Sequence, residues 1–262
     1  MNDPVYLRGH QYRDSTNLAA RANLHQHYST NQHGWPRWVF EQISLRPGIR
    51  VLELGCGNAA LWQENHDRLP DDCAIILSDF SPGMLQAARE QLGPLAARFD
   101  WEITNAQAIG HASSTFDVVI ANHMLYHVPD RERAISEIQR VLRDGGRLYT
   151  ATNGAAHMHE LDDLLSAVVP EVQQDDTSSR FTLENGAEQL ARSFATVTVT
   201  PYLDALDVPV AEPIIQYILS TAAAELLDDQ RIDELWAAIE AEITTHGSFH
   251  ITKSVGLFSA SA

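Results

Sequence analysis

A rhythm in the sequence constrains the fold more than any composition does. Through the first 150 residues, short apolar runs recur with helix-length stretches between them: Ile49–Leu54, Ala74–Ser78, Phe99–Thr104, Phe116–Ala121 and Arg147–Thr152. Apolar runs of this length, bounded by turn residues, read as strands buried on both faces. The spacing predicts helices between them, over Pro82–Leu92 and Arg131–Leu142, and in the second Ile135, Ile138, Val141 and Leu142 share one face. Strands joined by helical crossovers form βαβ units, so a parallel sheet covered on both sides is expected. The two ends depart from this rhythm. Residues 14–45 are amphipathic, with Trp35, Trp38, Phe40 and Ile43 on the apolar side. Beyond the fifth strand, 154–192 reads as helix, loop and helix, 195–200 as a strand, 212–245 as largely helical and 249–258 as strand again.

Charge and cysteine content bound the function. Eighteen Lys+Arg face 35 Asp+Glu, a net charge of −17, and no basic run exceeds two residues. Phosphate backbones are repelled by such a surface, which disfavours nucleic acid as a partner. Nothing approaches the roughly 18 unbroken apolar residues of a membrane span, and the first residues carry no secretion-signal core. Only Cys56 and Cys73 occur, so a disulfide scaffold is not expected and a cytoplasmic setting is. The histidine pairs H25-x-H27, H123-x₃-H127 and H157-x-H159 lack a nearby cysteine, and no metal is expected.

The first predicted strand collides with a glycine turn in V51-L-E-L-G-C-G-N-A-A-L-W62. Gly55 and Gly57 let the backbone turn tightly and approach a ligand closely, at the carboxyl end of the strand where parallel sheets bind ligands. The pattern G55-C-G57-N-A-A60 equally fits the G-x-G-x-x-A of dinucleotide folds. Strand alternation points Glu53 away from Leu52 and Leu54, and a carboxylate in a buried strand needs a partner: a ligand's ammonium or a structural ion pair. Asp79 ends the next strand, where a carboxylate can accept both ribose hydroxyls or cap the following helix, although Ser81 is better placed for the cap.

Taken together, E53-L-G55-C-G57-N, D79-F-S-P-G-M84-L, F116-D-V-V-I-A-N122 and I138-x-R140-V-L-R-D-G-G146-R-L resemble the class I S-adenosylmethionine-dependent methyltransferases over residues 48–152. The resemblance implies a Rossmann-like α/β fold: a mostly parallel seven-stranded sheet with helices on both faces, plus N-terminal helices and late helical insertions as a cap. It divides one domain into a helical lid (1–45), a cofactor-binding core (46–153), cap segments (154–192 and 203–246) and closing strands (193–202 and 248–259). It implies that Glu53 and the backbone of Gly55, Cys56 and Gly57 hold the methionine part of S-adenosylmethionine, and Asp79 the ribose. Phe80 and Met84 would flank the adenine, Asn105, Ala106 and Gln107 its edge, and Asn122 and His123 the sulfonium side. Two positions depart from the family pattern: Ala59 replaces its third glycine and Asn105 an aspartate, whose edge contacts an amide can still make.

Methyl transfer is an in-line displacement, so positioning dominates and a base helps where the acceptor must lose a proton. His127, just past the fourth strand, is the first candidate for base or acceptor orientation, with Tyr126 and His123 behind it; a loop-ordering histidine is the alternative. Tyr12, Arg21, His25 and Tyr28 of the N-terminal segment are candidates to cover the sulfonium, Tyr28 foremost, through cation–π attraction. The reaction expected is methyl transfer to O, N, S or C of a small acceptor, yielding S-adenosylhomocysteine. The alternatives are cleavage of another sulfonium bond, a nicotinamide-dependent oxidoreductase, and a non-catalytic cofactor-binding regulator. Oligomeric state is not legible.

Overall fold

The computed structural model describes residues 16–171 and 178–261. Two helices, α1 (Thr16–Tyr28) and α2 (Trp35–Gln42), precede β1 (Arg50–Leu54). There follow α3 (Ala60–Gln63), β2 (Ala74–Asp79), α4 (Pro82–Leu92), β3 (Asp100–Ile103), β4 (Phe116–Ile120), α5 (Arg131–Val141) and β5 (Leu142–Asn153). The second half holds α6 (His159–Val168), α7 (Gly186–Ala191), β6 (Thr196–Val208), α8 (Glu212–Leu219), α9 (Asp229–His246) and β7 (Phe249–Ser261). The strands form one seven-stranded sheet in the order β3-β2-β1-β4-β5-β7-β6. The five strands of the predicted rhythm are mutually parallel. β7 runs antiparallel between β5 and β6.

Strand alternation sorts the core into layers. Val51, Ile75, Leu77, Val118 and Ile120 face α2, α3 and α4, where Phe40, Trp62 and Leu85 complete one cluster. Leu52, Leu54, Ile76 and Val119 face the other way, onto Ile135, Ile138 and Val141 of α5 and Phe181. A third cluster joins Leu24 of α1, Leu161 of α6, Ile214 and Ile218 of α8, Leu235 and Ile239 of α9, and Leu206, Val208 and Ile251 of the closing strands. Among the described residues, no helix is long and apolar enough to cross a membrane.

Several expected boundaries move for identifiable reasons. Pro82–Leu92 is a helix as read, started by Pro82 and capped by Ser81, whose Oγ accepts the Met84 N–H at 3.4 Å. α5 stops at Val141, one residue early, and β5 begins at Leu142 rather than Arg147. The register breaks between Phe116↔Leu142 and Val118↔Arg147, and the extra residues D144-G-G146 are absorbed there. Gly146 has no room for a side chain: a Cβ would lie 2.9 Å from the Arg143 carbonyl oxygen and 3.1 Å from that of Asp117.

The largest change concerns the closing strands. β6 continues to Val208, so residues 203–208, assigned above to the cap, belong to the sheet. They pair with β7 from Leu203↔Ser254 to Val208↔Phe249, beyond the last partner that β5 supplies, Asn153↔Val255. The result is a two-stranded ribbon rising past the carboxyl ends of the parallel strands. Buried Tyr202, Leu206 and Val208 on one strand and Phe249, Ile251 and Val255 on the other give it an apolar face. Its period-2 pattern was hidden by the polar residues Asp204 and Lys253 within it.

Candidate active site

β1 ends in a turn that its sequence builds from left-handed residues. Gly55 and Gly57 have φ of +69° and +57°, which glycine adopts freely. At Gly55 a Cβ would sit 3.0 Å from Met124 Cβ, whereas at Gly57 nothing lies within 4 Å. Ala59 adopts φ +61° and is fully buried, so this position asks for left-handed backbone as well as the close packing read from sequence.

Glu53 shares the face of Val51 and is 3 % exposed. Its partner is one the sequence did not suggest: Trp62, from α3, donates its indole N–H to Oε2 at 2.5 Å. Burial pushes the carboxyl up to about 7; the indole bond opposes this and the nearby Asp79 charge adds to it. Asp79 ties the turn to β2, its Oδ2 accepting the Gly57 N–H at 3.2 Å and its Oδ1 the Ser81 N–H at 2.8 Å. Burial raises its pKa too, against those backbone donors. Each carboxylate therefore has committed bonds and spare lone pairs. Buried Cys56, whose N–H meets the Ser78 carbonyl at 2.9 Å, has its thiol pushed well up by burial and by Glu53 and Asp79, so it is no thiolate nucleophile.

The end of β4 gathers a second group. Asn122 Oδ1 accepts the Ala151 N–H at 3.1 Å, and the His123 N–H donates to the Ala151 carbonyl at 2.9 Å. His123 takes φ +50° and sets its ring 5.4 Å from Trp35. Burial, then the charges of Lys253 and His127, hold its pKa down to about 4, so the ring is neutral at physiological pH. Leu125–His127 is a single 3₁₀ turn, with the Tyr126 and His127 rings 4.5 Å apart and His127 Nδ1 shielded from solvent. Met124, wedged against Gly55, couples this turn to the glycine turn.

Beyond β2 and β3 the arrangement is more structural. Phe80 is half-buried and Met84, 3 % exposed, is core. Asn105 closes a local turn by accepting the Gln107 N–H at 3.0 Å, and Ala106 is buried. Gln107 is engaged with the start of α5: its Oε1 accepts the Asp130 N–H at 2.8 Å and its carbonyl the Arg133 Nε–H at 2.8 Å.

The N-terminal candidates separate. Tyr12 lies outside the described residues. Arg21 is spent on Ser220, donating to its carbonyl at 2.7 Å. Tyr28 packs against the third cluster, near His27, and no contact brings it to the glycine turn among the described residues. His25 lies within electrostatic reach of His123. The histidine pairs read from sequence are split: His27 bonds the Asn23 carbonyl and His159 the Ala156 carbonyl, both exposed, while His25 and His157 stack on each other at 6.3 Å. No group of three or more metal-competent side chains forms among the described residues. Sequence reasoning also missed Lys253 and Asp204; a charged residue on each apolar face of the ribbon was the available signal.

Residues 52–150 match the model of the methyltransferase domain family. That stretch, under half of the chain, is similar to methyltransferase domains. Over 116 residues the chain is 33% identical to the ubiquinone/menaquinone biosynthesis C-methyltransferase of Hydrogenovibrio crunogenus, covering 44% of this chain and 46% of that one. It thus spans about half the length of the curated relatives it matches. Among solved structures, phosphoethanolamine N-methyltransferase 2 of Haemonchus contortus, bound to phosphomonomethylethanolamine and S-adenosylhomocysteine, superposes with a TM-score of 0.61 at 17% identity, over 98% of this chain and 59% of that one. The [4+2]-cyclase SpnF superposes at 0.55 and 20% identity, over 89% and 86%. The seven-stranded, mostly parallel Rossmann-like fold is shared throughout.

Proposed function

We propose that this protein transfers a methyl group from S-adenosylmethionine to an O, N, S or C atom of a small-molecule acceptor. The observation that carries this reading is the pair of buried carboxylates, Glu53 and Asp79, flanking two left-handed glycines at the carboxyl ends of adjacent strands. A buried carboxyl held near 7 favours a cationic partner, which the ammonium of a methionine moiety supplies. Gly57, with open space beside it, gives such a ligand access to backbone.

The residues fit the cofactor. Glu53 with Gly55, Cys56 and Gly57 would hold its amino-acid end and Asp79 its ribose. Phe80 and Met84 would border the adenine, with Asn105, Ala106 and Gln107 at its edge and Asn122 and His123 on the sulfonium side. When bound, the cofactor supplies an electrophilic methyl group on a sulfonium, with a neutral thioether as leaving group. The protein's task is then alignment and exclusion of water; holding the reacting groups in line is worth roughly 7–11 kcal/mol. A neutral His123 adds no like charge beside a sulfonium. His127 is the group we assign to receive or orient the acceptor's proton, with Tyr126 packed on it.

Supporting a cytoplasmic setting, both cysteines are free and unpaired with each other. The acidic surface favours a small acceptor over nucleic acid. Calorimetry with S-adenosylhomocysteine tests the cofactor, and chromatography of reaction mixtures tests the chemistry. S-adenosylhomocysteine as by-product supports methyl transfer, methylthioadenosine points to cleavage of another sulfonium bond, and absence of binding at millimolar ligand removes the reading.

A further inference from the structure

The chain contains one lysine, and it lies on the wrong face of its strand. Alternation in β7 places Lys253 in line with Phe249, Ile251, Val255 and Leu257, all buried. Directly across, in register, stands Asp204 on β6, itself in line with Tyr202, Leu206 and Val208. The two form an ion pair with side chains 7% and 0% exposed. Desolvating such a pair commonly offsets its attraction, and two apolar residues would hold the ribbon at least as well. The pair therefore asks for a role other than stability.

Its charges are unevenly compensated. The Asp204 carboxylate also accepts from Ser29 Oγ at 2.5 Å, Thr30 Oγ1 at 3.2 Å, and the backbone N–H groups of Asn31 and Ala205, both at 2.9 Å. The Lys253 ammonium has three N–H groups, yet among the described residues Asp204 is its hydrogen-bond partner and the Tyr202 ring, at 5.5 Å, its other neighbour. Its charge acts on three imidazoles, His25, His123 and His157. His25 and His157 are stacked, and the Nδ1 atoms of both are sealed from solvent with no hydrogen-bond partner among the described residues. A buried polar atom left without a partner is destabilising. Burial first, then the Lys253 charge, holds His25 down to about 4; burial, His25, His123 and then Lys253 hold His157 down to about 3. The same ammonium acts on His123, the residue that ends β4 on the sulfonium side.

Resting on the methyltransferase reading, we propose that this buried polar cluster receives an anionic group, carboxylate or phosphate, of the methyl acceptor, with Lys253 as its charge partner and His25 and His157 as its hydrogen-bond donors. Such a group occupies the ammonium's free N–H positions and gives the two orphaned imidazole nitrogens a partner. It also explains the ion pair: Asp204, satisfied from four other directions, fixes the ammonium in place without fully neutralising it. On a protein of charge −17, one buried cation is a selective feature for an anion.

The test is calorimetry on protein saturated with S-adenosylhomocysteine, titrated separately with inorganic phosphate and with acetate. We expect one of the two to bind in the millimolar range. The double variant Asp204→Asn/Lys253→Met, which leaves no unpaired charge, should weaken that binding at least tenfold while S-adenosylhomocysteine affinity stays within twofold. Tighter phosphate binding identifies a phosphate-bearing acceptor and tighter acetate binding a carboxylate. Should circular dichroism show the double variant unfolded, His157→Phe, with the ion pair intact, should weaken the anion at least threefold. No binding of either anion to the wild type, or unchanged binding in the folded variant, overturns the proposal. Failure of S-adenosylhomocysteine to bind, measured before any anion is added, overturns the methyltransferase reading instead.

Discussion

Glu53→Gln isolates the carboxyl on which the cofactor reading rests. Glutamine keeps the shape, and its carbonyl oxygen still accepts the Trp62 indole N–H, so only ionisation is removed. The native carboxyl sits near 7, against 4.5 for an unperturbed glutamate. Because folding raises this acid's pKa, its stabilising contribution is complete below about 4.5 and is lost as pH rises toward 7, where the unfolded chain is ionised and the folded one resists. At about 1.4 kcal/mol per pKa unit, wild type loses roughly 2–3 kcal/mol from this group between pH 5 and pH 8. The variant loses none. Urea unfolding of both proteins at each pH, without cofactor, cancels every other titrating group in the difference. The stability difference should shift in favour of Glu53→Gln by roughly 2–3 kcal/mol at the higher pH. Saturating S-adenosylhomocysteine should flatten the wild-type slope, because an ammonium beside the carboxylate restores an ordinary pKa. Parallel curves for the two proteins without ligand would mean Glu53 is already ionised when folded, and the case that it awaits a cation would be lost.

Three further outcomes follow from the geometry. Asp79→Asn places an amide where two backbone N–H groups donate, so S-adenosylhomocysteine affinity should fall at least tenfold, with about 1–3 kcal/mol of stability lost in urea. His127→Ala and His127→Gln should each lower turnover by about 10²-fold or more while leaving cofactor affinity within twofold; unchanged turnover in both removes His127 from the proton chemistry. Gly146→Ala drives a methyl group against two carbonyl oxygens and should cost about 1–3 kcal/mol, read as a lower urea midpoint at unchanged slope.

The parallel half of the sheet was legible because its strands are short, apolar and separated by helices with clear start signals, such as S81-P-G at α4. The glycine turn and Asp79 were legible because both need particular backbone or charge at a strand end. Trp62 was not: nothing in a sequence says that an indole nine residues beyond Glu53 folds back onto it. Nor was the ribbon legible, since Asp204 and Lys253 interrupt the alternation that would have extended β6, and each becomes tolerable only when the other lies across from it. The partners of the H-x-H histidines were not legible for a related reason. Neighbours at i and i+2 diverge on a helix, and the ring that meets His25 is that of His157, in the turn before α6.

The placement of β7 carries a consequence for synthesis. The strand made last of the seven lies between β5 and β6, so β6 has no neighbour in the sheet until residues 249–261 emerge. A nascent chain can assemble β1 to β5, with its glycine turn and both carboxylates, from local βαβ contacts. Asp204 meanwhile waits some 49 residues for its cation, and α1, made first, waits for β6 and α8 before it has a surface to settle on. The glycine-turn half of the sheet is thus built early, and the ribbon of the closing strands forms only when the last strand is made.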